Sequence, residues 1–278
     1  MAEPPESPRP TTLADTSITQ PDAWHTLRRY TPARIALGRV GASLPTGEVL
    51  DFSMAHARAR DAVHLPFDPE TLASALKQAG FSTIEVRSLA ANRSEYLRRP
   101  DLGRRLDPAC GPLLRDDAAP IHRLTMIVGD GLSALAPARH ALPLLLELQA
   151  QLAQIQTWSL DSIILANQAR VALSDQIGQL RGAEAAVILL GERPGLSSPD
   201  SLGVYLTYAP RHGRSDAERN CLSNIRHEGL SYPEAAYKLL YLLEQARTAG
   251  ASGVVIKDSS DWSAATSLPA QGSKQFSS

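Results

Sequence analysis

Residues 185–196 read Ala185-Ala186-Val187-Ile188-Leu189-Leu190-Gly191-Glu192-Arg193-Pro194-Gly195-Leu196. Six apolar residues run without interruption and stop at Gly-Glu-Arg-Pro-Gly. An apolar run of this length, closed by turn residues, reads as a strand buried on both faces. The polar cluster then falls at the strand's carboxyl end, where open α/β sheets place their ligands. Pro194 and Gly195 occupy the i+1 and i+2 positions of a type II turn, which predicts a rigid exit for Glu192.

Further strands are expected at 123–128, 162–165, 204–208 and 253–256, with helices at 138–154, 174–181 and 233–249. This alternation predicts an α/β fold, a mostly parallel sheet flanked by helices, over residues 113–258. Residues 21–112 form a helical N-terminal region. Within it Val49, Phe52, Met54, Ala55, Ala59 and Val63 make an amphipathic stretch. Asp68 is placed to cap a helix opened by Pro69 and ended by Gly80. Phe81 to Val86 alternates like a short strand. Residues 1–20 and 259–278 lack periodicity and are expected to be a loose arm and tail.

The chain of 278 residues carries 28 basic and 29 acidic side chains, so no basic stripe points to nucleic acid. Aromatics make up only 5%, which leaves Leu, Ala, Ile and Val to build the core. Cys110 and Cys221 are too few for a disulfide framework, and a reduced cytoplasmic setting follows. No apolar run approaches the roughly 20 residues a membrane span needs. Residues 1–10 are acidic and Pro-rich, unlike a secretory signal.

Four clusters could carry chemistry. Gly129-Asp130-Gly131-Leu132-Ser133-Ala134 matches a dinucleotide-binding turn, G-x-G-x-x-A. The acidic residue that should end the next strand is missing, since that strand runs into Ala166-Asn167-Gln168. A structural βα turn and a nicotinamide-dependent oxidoreductase site at Gly129, Gly131 and Ala134 both stay open. Glu192 and Arg193 either meet a ligand or only cap neighbours. Asn220-Cys221-Leu222-Ser223-Asn224-Ile225-Arg226 reads as a polar loop, with Cys221 a nucleophile only if a His reaches it. Arg98-Arg99-Pro100-Asp101-Leu102-Gly103-Arg104-Arg105-Leu106 suits an interface or an anion, or is a solvated run. The His residues are scattered without metal-ligand spacing, and His140 reads as an ordinary helix residue.

Several blocks resemble the small (light) subunit of ethanolamine ammonia-lyase. They are Leu27-Arg28-Arg29-Tyr30-Thr31-Pro32-Ala33-Arg34-Ile35, the Tyr96–Leu106 segment, Asp130-Gly131-Leu132-Ser133, Asp175-Gln176-Ile177-Gly178, the Gly191–Leu196 turn, and Arg219-Asn220-Cys221-Leu222-Ser223-Asn224-Ile225. The resemblance implies an α/β subunit that covers adenosylcobalamin against a large TIM-barrel subunit. It implies cobalamin contacts at Val171, Glu192 and Cys221, and catalytic side chains on the large subunit. The holoenzyme would be a hetero-oligomer of large–small pairs converting ethanolamine to acetaldehyde and ammonia by a radical route. It would be cytoplasmic, with a bacterial microcompartment as the alternative location, and would need no nucleic acid or membrane.

Overall fold

The computed structural model describes residues 18–115, 121–155 and 157–263. Most of the expected arm and tail, 1–17 and 264–278, lies outside the described residues. The chain divides into two compact units, one ending at Ala57 and the other beginning at Arg58.

The described part of the first unit holds a 3-10 helix, His25–Tyr30, and an antiparallel bridge between Gln20 and Arg39. Helix α1 (Thr46–His64) begins in this unit and continues past its end. The apolar spacing that predicts α1 packs only in part: Ala55 is buried and Ala59 and Val63 are half-buried. Leu50 is 63% exposed and Met54 55%, and Val49 and Phe52 are exposed too.

The second unit is built on a seven-stranded sheet. Its strands are β1 (Thr83–Arg87), β2 (Arg123–Gly129), β3 (Ser159–Leu160), β4 (Ile163–Asn167), β5 (Ala185–Gly191), β6 (Leu202–Tyr208) and β7 (Arg219–Ile225). The order is β1-β4-β2-β5-β6-β7, with β3 pairing only β2. The β1–β4, β4–β2 and β2–β5 pairs are parallel, while β6 and β7 continue the sheet antiparallel. The short strand expected near Phe81 is thus the sheet's parallel edge.

Helices α2 (Pro69–Gln78), α5 (Leu135–Ile155) and α7 (Tyr232–Ala249) share one core with the sheet. Leu76, Leu145 and Leu243 of those helices join Leu124, Met126, Val128, Val187 and Leu189 there. The alternate residues Ile127, Ile188 and Leu190 join Leu173 and Ile177 of α6 (Leu173–Leu180) in a second core. Leu114 of α4 (Gly111–Leu114) closes that side. The period of two along each strand sends side chains to both faces, so both must be covered. Caps behave as the sequence predicts: Asp68 accepts from Thr71 N at 3.0 Å, with Pro69 in the first turn of α2. Helix α3 (Arg93–Arg98) is capped by Asn92, whose side chain accepts from Glu95 N. No helix among the described residues is long and apolar enough to cross a membrane.

Three local expectations are corrected. Residues 253–256 are not a strand; Gly253–Val255 is a 3-10 turn, and Gly253 sits at φ +82°. The polar loop expected around Cys221 is strand β7, paired with β6. Its polar residues are tolerated because β7 is an edge strand: Leu222 and Ile225 enter the core shared with α7, Arg219 is buried against Asp175 of α6, and the other residues are exposed or half-buried. Gly195 is absent from the positive-φ glycines, so the Pro194-Gly195 turn is not type II. It is closed instead by Gly195 N donating to Ser198 O at 3.1 Å.

At the carboxyl end of β5, Gly191 packs directly on the turn that leaves β2. Leu132 N donates to Gly191 O at 2.8 Å. A Cβ on Gly191 would collide with Ser133 O, and one on Gly131, at φ +56°, with Gly191 O. These atoms are backbone and cannot swing away. Gly191→Ala is expected to cost about 2 kcal/mol or more. A urea unfolding midpoint equal to the parent's would contradict this packing argument.

Candidate functional site

The loops that follow β2, β4 and β5 meet at one end of the sheet, joined there by residues of β6 and β7. They enclose an open cavity of about 460 Å³. Leu190 and Val171 supply apolar wall; Arg170, Glu192, Tyr205 and Ser223 supply polar groups. This is the volume range of small-ligand sites, and it is smaller than a whole corrin with its side chains.

One flank is fixed by Asp130, which is 1% exposed. Its carboxylate accepts from Ala169 N at 2.8 Å and from Arg93 Nη1 at 3.0 Å. Burial raises the Asp130 pKa to about 6 against the opposing pull of Arg93. Arg93 also donates to Val63 O and Gly131 O, both at 2.8 Å. The Arg93 and Arg170 guanidiniums each lie against the Tyr96 ring, at 4.8 and 4.3 Å from its centroid. Tyr96 is fully buried and donates its hydroxyl to Ala169 O at 3.0 Å. Gly103 O accepts from Arg170 N at 2.8 Å, and a Cβ on Gly103 would press on Tyr96 and Arg170 at 2.9 Å. The Tyr96–Leu106 segment thus clamps the loop that carries Arg170 and Val171. Arg170 Nε is buried and has no hydrogen-bond partner.

Glu192 fixes the other flank. Its carboxylate accepts from the Ser201 and Ser223 hydroxyls and from Asn224 N at 3.2 Å. Glu192 N donates to Ser201 O at 2.9 Å. One side chain therefore ties β5 to β6 and β7, so the capping role left open by the sequence is real. A carboxylate has about four acceptor positions, so three bonds leave one free. Behind this flank, Ser133 Oγ donates to Pro199 O at 2.8 Å. The buried His140 pairs with Tyr232 Oη at 2.8 Å and Asp200 at 3.2 Å, and Arg139 reaches Asp200 at 2.8 Å. Burial lowers the His140 pKa, so its role is that of a neutral hydrogen-bonded brace. This departs from the ordinary helix residue expected from sequence.

Val171 and Glu192 line the same cavity. Cys221 is exposed on β7, opposite Tyr205 of the cavity wall. Desolvation raises the Cys221 thiol pKa, with the Glu192 charge adding to it, which opposes thiolate formation. Arg193 stands exposed at the rim. In the arginine run, Arg99 is spent on Asp101 through a two-bond pair of 2.9 and 2.7 Å. Arg104 and Arg105 line a separate charged cavity of about 420 Å³ with Asp101 and Arg214. The glycine turn at 129–131 is accounted for by its contact with Gly191, and the Leu132 amide is committed to Gly191 O. That arrangement supports the structural reading of the turn over the nicotinamide one. Sequence reading gave no role to Asp130, Arg93, Ser201 or Tyr205. Asp130 and Ser201 were signalled only by their place next to strand ends; Tyr205, inside β6, and Arg93, at the start of α3, carried no signal.

Fold and site together define an α/β chain that offers a braced ligand wall at the carboxyl ends of its parallel strands. The family model described as ethanolamine ammonia-lyase light chain (EutC) matches residues 21–257. The ethanolamine ammonia-lyase small subunit of Azotobacter vinelandii is 56% identical over 252 residues, 90% of this chain and 93% of that protein. The small subunit from Pseudomonas fluorescens is 56% identical, covering 84% of this chain and 86% of its own length. That from Ralstonia nicotianae is 53% identical, covering 88% and 91%. The chain belongs to the ethanolamine ammonia-lyase light-chain family and is a subunit of a lyase.

Two outcomes follow from the electrostatics. Cys221, though exposed, should react with iodoacetamide at pH 7.5 more slowly than free cysteine; equal or faster alkylation would contradict the raised pKa. Buried in the folded chain, the Asp130 carboxyl holds its proton up to about pH 6, well above an ordinary aspartate near 3.8. Its ionisation therefore lowers folding stability as pH rises between those two values. Asp130→Asn should remove that component, so parent and variant should differ most in the parent's favour at the acidic end. A stability difference constant from pH 4 to pH 7 would contradict it.

Proposed function

We propose that this chain forms one wall of a corrin site shared with the ethanolamine ammonia-lyase large subunit. The observation that carries this is the cavity itself. Val171 and Glu192, two of the cobalamin contacts that the family resemblance implies, line one pocket although they are far apart in the sequence. The chemistry of the rim fits the group. A corrin periphery bears carboxamide side chains that both donate and accept. The rim supplies a carboxylate with a free acceptor position, hydroxyls of Ser223 and Tyr205, and apolar surface from Val171 and Leu190. The cavity is too small for the whole cofactor, which agrees with a site completed by another chain.

When bound, adenosylcobalamin supplies a cobalt–carbon bond whose homolysis starts the radical deamination of ethanolamine. The residues of this chain bind, orient and shield. Glu192 accepts from a carboxamide N–H, and its bonds to Ser201, Ser223 and Asn224 keep it in place without reorganisation. Val171 and Leu190 exclude water from the edge they cover. Cys221 stays a neutral thiol beside Tyr205, a contact and not a nucleophile. The cofactor carries the difficult chemistry and the protein provides position and dryness.

A light chain implies a heavier partner. Its contact surface is consistent with the apolar residues that the first unit leaves in solvent, among them Trp24 at 68% exposure. Both described cysteines are free thiols, which suits a cytoplasmic location.

Co-expression with the large subunit is expected to give ammonia from ethanolamine only when adenosylcobalamin is added. Turnover by this chain alone would contradict the shared-site reading. Glu192→Ala should weaken cofactor affinity of the complex about tenfold, the size of one charge-assisted hydrogen bond. An unchanged titration with a folded variant would remove Glu192 from the site.

A further inference from the structure

The separate cavity of about 420 Å³ is lined by the segment carrying Arg104 and Arg105, by residues 212–216, and by Ala172 and Asp175 at the start of α6. Its carboxylates are already engaged. Asp175 gives both oxygens to Arg219, at 2.6 and 2.8 Å, and Asp101 gives both to Arg99. Asp216 keeps a 3.4 Å contact with Arg219, and Arg214 pairs with Glu218. Arg104 and Arg105 remain. Both are exposed, and among the described residues neither guanidinium has a hydrogen-bond or ion-pair partner. Their backbone, by contrast, is pinned. Gly103 O accepts from Arg170 N, Arg105 O accepts from Leu89 N at 2.9 Å, and Leu106 N donates to Gln176 Oε1 at 2.6 Å. The facing loop is held too, with His212 N donating to Gln179 Oε1 and Arg214 donating to Ala209 O, both at 2.9 Å. Unspent guanidiniums on fixed backbone form a ready receptor for carboxylates, since each fork matches a carboxylate in two parallel bonds and no main chain has to be ordered.

We propose that this cavity is a docking point for an acidic segment of the large subunit, whose Asp or Glu side chains pair with Arg104 and Arg105. The inference rests on the shared-site reading above. Position favours a protein partner over a free anion. Val171 lines the candidate corrin cavity, and the next residue, Ala172, lines this one. A chain that closes the first cavity therefore lies within a residue's length of the second. Arginine is also a side chain enriched where proteins meet. Charge pairs of this kind steer association and fix its register more than they add affinity. Set beside Val171, they would hold the partner in one position against the corrin edge. Arg104 and Arg105 are thus assembly contacts and take no part in the reaction.

The test uses the full chain and the large subunit without cofactor, so that assembly is read apart from corrin binding. Affinity is measured by sedimentation at about 50 mM and about 500 mM NaCl. The parent should bind about tenfold more weakly at the higher salt. Arg104→Glu combined with Arg105→Glu should weaken association about hundredfold at low salt, the scale of like charges set face to face. That variant should then bind more tightly as salt rises, because the repulsion is screened. Arg104→Lys with Arg105→Lys keeps the charge without the fork and should stay within about tenfold of the parent. Arg98→Glu, an exposed member of the same run outside the cavity lining, should change affinity less than about threefold. A urea midpoint equal to the parent's is expected for every variant. Parent-like affinity in the doubly reversed variant, or an equal loss in Arg98→Glu, overturns the docking point and leaves the corrin site standing. So does pyrophosphate raising the melting temperature of the parent chain but not of the reversed variant while association is unchanged, which would mark a small-anion site instead. A parent chain that fails to associate with the large subunit at either salt overturns the shared site and this inference with it.

Discussion

The close approach of β5 to the turn leaving β2 governs the architecture of the site. Gly191 and Gly131 meet backbone to backbone, with no room for a Cβ on either. That contact seals the gap between the two central parallel strands and sends the neighbouring residues, Asp130 and Glu192, into separate bonding networks. Asp130 gathers α3 and the loop after β4; Glu192 gathers β6 and β7. The cavity is the space left between these two gathered sets. Its walls are therefore rigid backbone and clamped side chains, which is the form a preorganised binding surface takes.

The same networks explain the absence of a reactive pair from the reading of the site. Carboxylates near the cavity are engaged with serine hydroxyls, backbone amides or arginine. The one cysteine there has its thiol form favoured by desolvation. His140 is neutral and occupied at both nitrogens. Groups held this way suit binding and exclusion of water more than proton transfer or attack.

Much of the fold is legible in the sequence where one physical signal dominates. The doubly buried strand at 185–191 announces itself as an unbroken apolar run, and α2 by its Asp68 cap and Pro69. β7 is hidden because an edge strand with one wet face can carry Asn, Cys and Ser, the residues that otherwise mark loops. The turn at Gly195 is misread because Pro-Gly fixes residue types but not the sign of φ. In the site, Glu192 is visible from its position at a strand end. Arg93, Tyr96 and Asp130 are not, since Arg93 reaches Asp130 across 37 residues and Tyr96 reaches Ala169 across 73, and no local pattern encodes either. Arg170 becomes distinctive only through a missing hydrogen bond, a property that exists in three dimensions alone.

The central claim is that this chain presents a wall to a corrin and holds no reaction centre of its own. An experimental structure of the complex with the large subunit and bound cobalamin tests it most directly. The account predicts corrin side chains within hydrogen-bond distance of the Glu192 carboxylate, at the carboxyl end of the strand that finishes in Gly191. A corrin seated away from that strand end, with the cavity facing solvent, would contradict it.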